Sequence, residues 1–82
     1  MATTADIPAL MTIVAKALVD APDEVEVDAY DEGDHIVLEL IVAEGDVGKV
    51  IGRQGRMARS LRTIMGAAAS KTRKRYQLEI VE

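Results

Sequence analysis

No cysteine occurs in the chain, and neither phenylalanine nor tryptophan. The first absence excludes a disulfide scaffold, a thiolate nucleophile and cysteine-based zinc or iron–sulfur sites. The second leaves Tyr30 and Tyr76 as the whole aromatic inventory. A core must then be aliphatic, and recognition by several stacked rings is excluded. His35 is the single histidine and has no second histidine or cysteine to share a metal. No nucleophile–base–orienter set exists either, so no enzymatic activity, metal or cofactor is expected. Gly48-Lys49 does not form a P-loop, because no Ser or Thr follows the lysine. The longest apolar run, Ile36 to Ala43, is interrupted by Glu39 and is too short to span a bilayer. The start, Met-Ala-Thr-Thr-Ala-Asp, lacks the basic and apolar regions of a signal peptide. A soluble cytoplasmic protein is expected.

What is present is aliphatic and sharply segregated by charge. Apolar residues make up 49% of 82 positions, enough for one small domain over 1–82, with 1–5 as a flexible start. The formal net charge is −4. Residues 1–48 carry twelve acids and one lysine, whereas residues 49–75 carry nine cations and no acid. This separation gives a positive working surface on an otherwise anionic body. A basic helix face merely docked on an acidic sheet fits the same numbers.

Periodicity gives the element order. Ile7, Leu10, Met11, Val14 and Leu18 form one face of a helix, capped by Asp6 or Thr4 and ending near Asp20 before Pro22. Val25, Val27 and Ala29 alternate with acids as a half-buried strand. Asp31-Glu32-Gly33-Asp34 is a turn that uses the freedom of Gly33. A second strand covers His35 to Ala43 and closes a hairpin with the first. Asp46 is placed to cap a short helix with Val47, Val50 and Ile51 facing inward. A longer helix runs from Arg56 to about Thr72, with Met57, Leu61, Ile64, Met65 and Ala68 as its buried stripe. Tyr76, Leu78 and Ile80 mark a closing strand. The order α-β-β-α-α-β predicts a two-layer α+β fold, a three-stranded sheet with its helices packed on one face.

The short stretch Val50-Ile51-Gly52-Arg53-Gln54-Gly55-Arg56-Met57 joins the two later helices. Glycines let the chain reverse there, and their missing side chains admit a phosphate close to the backbone. The following helix offers unpaired N–H groups and a partial positive charge to an anion. Lys49, Arg53, Arg56 and Arg59 add full charges, and Gln54 adds a donor and an acceptor. Arg56, Arg59 and Arg62 read equally well as a solvated helix face. Val50 reads as core, whereas Ile51 fits either core or groove floor. Lys71, Arg73, Lys74 and Arg75 lie at the far end of the helix, where cations also favour its C-terminal dipole.

The stretch from Asp46 to Arg56, with Leu61-Arg62-Thr63 and the terminal Leu78-Glu79-Ile80-Val81-Glu82, resembles the KH domain of type II. It is most similar to the bacterial RNA-binding proteins built from one such domain. The resemblance covers nearly the whole chain. It implies single-stranded RNA as ligand, about four nucleotides held in a groove and clamped by the Gly-x-x-Gly loop. Carried onto this chain, the RNA-binding residues are Lys49, Ile51, Gly52, Arg53, Gln54, Gly55, Arg56 and Arg59. Val50, Met57 and residues of the His35–Ala43 strand would support or line the groove. Arg53 stands where members often carry lysine, which keeps the charge but changes its geometry. The resemblance further implies a homodimer and a second KH-containing RNA-binding partner. Its biological setting would be RNA chaperoning or post-transcriptional regulation linked to cell division and elongation. A dimerisation module with secondary RNA contact is the rival expectation.

Overall fold

A computed structural model describes residues 6–82. The flexible start expected for 1–5, and Thr4 as a cap, lie outside the described residues. Helix α1 spans Ile7–Leu18 and is capped by Asp6, whose carboxylate accepts the Ala9 N–H at 3.1 Å. It stops at Leu18, short of Asp20, because Val19 is already extended and Pro22 opens a 3-10 turn over Pro22–Glu24. Ile7, Met11 and Ala15 are its buried residues; Leu10, Val14 and Leu18 flank them at half burial.

Strand β1, Glu26–Asp31, starts later than the alternation suggests, since the 3-10 turn occupies the preceding residues. It pairs antiparallel with β2, His35–Ile41, placing Ala29 opposite Leu38 and Asp28 opposite Glu39. Gly33 takes φ 97° in the hairpin turn, as a tight reversal requires. Helix α2, Val47–Ile51, is five residues long. Helix α3, Arg56–Ala69, ends before Thr72. The Ser70 and Thr72 hydroxyls donate to the carbonyls of Ala67 and Ala69 at 2.7 and 2.8 Å, closing the helix locally. Strand β3, Arg75–Ile80, then pairs parallel with β2. The sheet order is β1-β2-β3, so β2 is central and mixed in its pairing.

The α+β architecture is thus the expected one, with α1, α2 and α3 over one face of the sheet. Ile7, Met11, Leu38, Leu40, Val50, Leu61, Met65 and Leu78 form the core between the layers. Fully burying each such side chain contributes about 1.5–3 kcal/mol, before entropy is subtracted. Alternation leaves Glu26, Asp28, Tyr30, His35, Val37, Glu39, Ile41, Arg75, Gln77 and Glu79 on the opposite, uncovered face, four carboxylates against one guanidinium. Asp28, Glu39 and Glu79 stand side by side across all three strands. Such like-charge neighbours repel. The Glu39 carboxylate, then Asp28, pushes the Tyr30 hydroxyl above its ordinary range. The sheet's outer face is therefore anionic, while the α3 cations emerge on the other side of the sandwich.

Candidate nucleic-acid interface

Three residues shape the turn between α2 and α3. Gly52 adopts φ 78°, ψ 175°, a conformation nearly restricted to glycine. A Cβ at Gly52 would lie 2.7 Å from both the Met57 nitrogen and Cβ. Gly52 is therefore required sterically as well as conformationally. Gly55 is left-handed at φ 74°, but a Cβ there would meet nothing within 4 Å. Between them Gln54 also takes a left-handed conformation, φ 57°, ψ 27°. Gln54 is the one non-glycine residue with positive φ among the described residues, and such a conformation costs about 1–3 kcal/mol unless its surroundings hold it. The chain so bent aims exposed Arg53 and Gln54 outward from a 3-10 turn, Arg53–Gly55, which runs directly into α3. The Gly52 N–H donates to the Gly48 carbonyl at 2.8 Å, and the Gly55 N–H to the Gly52 carbonyl at 3.2 Å. The loop backbone is thereby tied to the end of α2.

The remaining site residues fall into two groups. Ile51, Gly55 and Arg59 line one surface hollow together with Arg62 and Ile80. Ile51 is half-buried and faces that hollow, whereas Val50 is fully buried as core. Arg56 reaches back toward the Gln54 side-chain oxygen at 3.5 Å. Arg53 and Arg59 have no ion-pair partner among the described residues. Lys49 differs. Its ammonium lies 3.2 Å from Asp20 Oδ2 and 3.7 Å from Asp46 Oδ1. The Asp20 carboxylate, then Asp46, holds it above its ordinary pKa.

Two expectations change here. Asp46 does not cap α2: its side chain makes no cap bond and instead accepts the N–H groups of Asp20 and Ala21 at 3.2 and 3.0 Å. Ile64, expected in the buried stripe of α3, is instead 41% exposed, because it lies on the helix ridge turned away from the sheet. The hairpin strand β2 is central and buries Leu38 and Leu40 beneath the helices, so it supports the seam beside α3, whose other wall is β3. Arg62 joins the two walls, donating to the Leu78 carbonyl at 3.2 Å. A second hollow is lined by Arg62, Met65, Gly66, Tyr76 and Leu78, and a third by Gly66, Ala69, Arg73, Lys74, Arg75 and Tyr76. Shared residues run the hollows into one another, from Gly55 along the α3–β3 seam to the loop before β3. Sequence alternation marks Tyr76, Leu78 and Ile80, but which strand borders α3 depends on strand order, which alternation does not carry.

A mixed three-stranded sheet with helices on one face, and a Gly-x-x-Gly turn between the last two helices, defines a KH-type domain. The family profile described as "KhpA/KhpB, KH domain" matches residues 9–80. The RNA-binding protein KhpA of Borreliella burgdorferi is 48% identical over 73 residues, 89% of each chain. That of Clostridium acetobutylicum is 51% identical over 72 residues, 88% of this chain and 96% of its own. A more distant relative, the RNA-binding protein KhpA of Chlamydia trachomatis, is 39% identical over 72 residues, 88% of this chain and 92% of its own. No solved structure matches at the same stringency. The chain belongs to the KhpA/KhpB KH-domain family. No helix among the described residues is long and apolar enough to cross a membrane.

Proposed function

We propose that this protein binds single-stranded RNA, clamping its backbone at Gly52–Arg56 and laying its bases along the α3–β3 seam. The observation that carries this is the unpaired Arg53 on a turn whose backbone is sterically fixed by Gly52 and Met57. The α3 N-terminus adds N–H groups and dipole charge at the same spot. Ile51 and Ile80 offer an apolar floor for bases, and Arg59 and Arg62 flank it. Tyr76 is the one ring along the seam, so most base contact is aliphatic. Arg73 and Arg75 border the far end of the same seam and extend the path past the clamp. Affinity falls with salt as phosphate contacts release counterions.

The acidic sheet face repels RNA and confines it to the helix side. The relatives are named as RNA-binding proteins, and on that footing our reading extends to a cytoplasmic RNA chaperone or post-transcriptional regulator, working with a second KH-containing protein and tied to cell division and elongation. One groove of about four nucleotides binds weakly by itself, and a homodimer would add avidity. Ile64, 41% exposed on the outward ridge of α3 beside Ser60 and Thr63, is the exposed large apolar residue of that helix and is open to such pairing. That residue also supports the rival function, an interaction module in which RNA contact is secondary.

The test is the double variant Arg53→Asp with Gln54→Asp, assayed by fluorescence anisotropy on labelled single-stranded RNA. Loss of binding with the circular dichroism spectrum and unfolding midpoint retained is expected. Unchanged binding by the folded variant removes the clamp. Ile64→Asp separates the rival: a monomer that still binds RNA shows that the two activities are independent.

A further inference from the structure

We infer that Asp46 is the positioning residue of the clamp: its carboxylate fixes the base of α2, and through α2 the direction in which Gly52–Gly55 faces, with Lys49 as its counterion. This inference rests on the clamp reading and adds a part to it. Asp46 is the one buried charged side chain among the described residues, 3% exposed. Burying an ionised carboxylate is costly unless it is paired and hydrogen-bonded, and here it is both. Its two oxygens accept the N–H groups of Asp20 and Ala21, which lie just past the end of α1 and would otherwise lack an acceptor. No buried side-chain polar atom among the described residues is left unsatisfied. The bond therefore joins the α1–β1 connection to the root of α2, across more than twenty residues of chain.

Helix α2 needs such an anchor. Five residues are far too few to hold a helix without tertiary contacts. Gly45 and Gly48 flank Asp46, and neither provides a side chain to pack. Val50, with Val47 packed half-buried beside it, sets one apolar anchor for α2 in the core, and apolar packing is non-directional. Asp46 supplies a second point and Lys49 a third, bridging Asp46 and Asp20. The clamp hangs from the other end of this helix, through the Gly52 N–H on the Gly48 carbonyl. A small tilt at Asp46 is therefore delivered directly to the loop.

The decisive variant is Asp46→Asn. It is nearly isosteric but exchanges one acceptor oxygen for an NH2 group that must face a backbone N–H. It also removes a negative charge near a polyanion site, so a purely electrostatic role predicts tighter RNA binding. Positioning predicts the opposite sign: affinity for a labelled mixed-sequence single-stranded RNA falls about tenfold, because a loosened site must be ordered on binding. The slope of log Kd against log salt stays at the wild-type value, since no phosphate contact is lost. Hydrogen exchange at residues 52–56 quickens while the sheet amides of β2 keep their protection. Binding equal to or tighter than wild type, by protein shown to be folded, overturns the inference.

Lys49→Met provides a second arm that keeps both N–H bonds and the fold. A two- to threefold loss of affinity at unchanged slope is expected, on the scale of about one weak ion-pair contact. Unchanged affinity, or a slope reduced by about 0.7 as one lost phosphate contact would give, overturns the counterion role. The Arg53→Asp, Gln54→Asp protein in the same assay separates the two ideas. If it binds normally, the clamp falls. If it fails to bind while Asp46→Asn is neutral, only the positioning role falls.

Discussion

Two turns in this molecule use glycine at positive φ, and they put it to opposite ends. The hairpin turn around Gly33 is acidic, and the interhelical turn around Gly52 and Gly55 is basic. In the first, the charges are spent internally. Asp31 Oδ1 accepts the Gly33 N–H at 2.9 Å, its carboxylate takes Lys74 Nζ at 3.2 Å, and Asp34 meets His35 Nδ1 at 2.8 Å. In the second, Arg53 has no ionic partner among the described residues and Arg56 touches only a neutral amide. Sterics differ as well. A Cβ at Gly33 would meet nothing within 4 Å, whereas one at Gly52 would strike the Met57 backbone. A turn that closes on its own charges is structural. A turn held rigid with its charges left open is what the proposed clamp needs.

This contrast breaks first at Gly52. Gly52→Ala places a methyl group against Met57 in a conformation that alanine avoids, at a cost of about 3 kcal/mol. Gly55→Ala, which has space but the wrong φ, should cost roughly 1 kcal/mol. Urea unfolding of the two proteins side by side checks the ranking, and equal losses would mean that the steric argument at Gly52 is mistaken.

A smaller effect comes from acid. The Gly33 N–H, then Lys74, holds Asp31 below the usual carboxylate range. For Asp46, burial alone would raise the pKa, but the N–H groups of Asp20 and Ala21, then Lys49, outweigh it and the net direction is down. Folded-state values below the unfolded ones mean that this stabilisation is complete above about pH 4 and is lost as pH falls through the lowered values. The urea midpoint should therefore hold above about pH 5 and drop as pH falls below about 4, and Asp31→Asn should show a shallower drop. A midpoint flat across that window contradicts the pairing seen at both carboxylates.

The smallest change is expected at Gly33→Asn, which keeps a residue tolerant of left-handed geometry in an open turn. Its stability should move by less than about 0.5 kcal/mol, and RNA affinity should not move at all. A loss of affinity there would end the division between a structural turn and a binding turn.

Much of this was legible in the chain. The helix stripes, the hairpin with Gly33 at its tip, the order α-β-β-α-α-β and the glycine turn all follow from local periodicity and composition, which short-range physics controls. The fates of Asp46 and Lys49 do not. Helix-capping rules place Asp46 on α2, because the next N–H groups in sequence are the nearest visible donors to its carboxylate. The folded chain brings the N–H groups of Asp20 and Ala21 closer, and a long-range hydrogen bond leaves no periodic trace. The left-handed Gln54 is hidden for a related reason: its strain is imposed by the glycines on either side rather than favoured by glutamine itself. Which strand borders α3 is hidden as well, because alternation identifies strands but not their neighbours.

The parallel pairing of β2 with β3 has a further consequence, for assembly. Parallel neighbours require the chain to travel back along the sheet, and here α2, the glycine turn and α3 are that return path. The loop-closure entropy of the whole return must be met before His35 can align with Arg75, which makes this the late, non-local step of folding. The glycine turn is thus no appendage on a finished scaffold. An insertion between Gly52 and Gly55 would alter the course of α3 and the register of the last strand together. Lengthening this loop is closed to the protein in a way that lengthening the Gly33 turn is not.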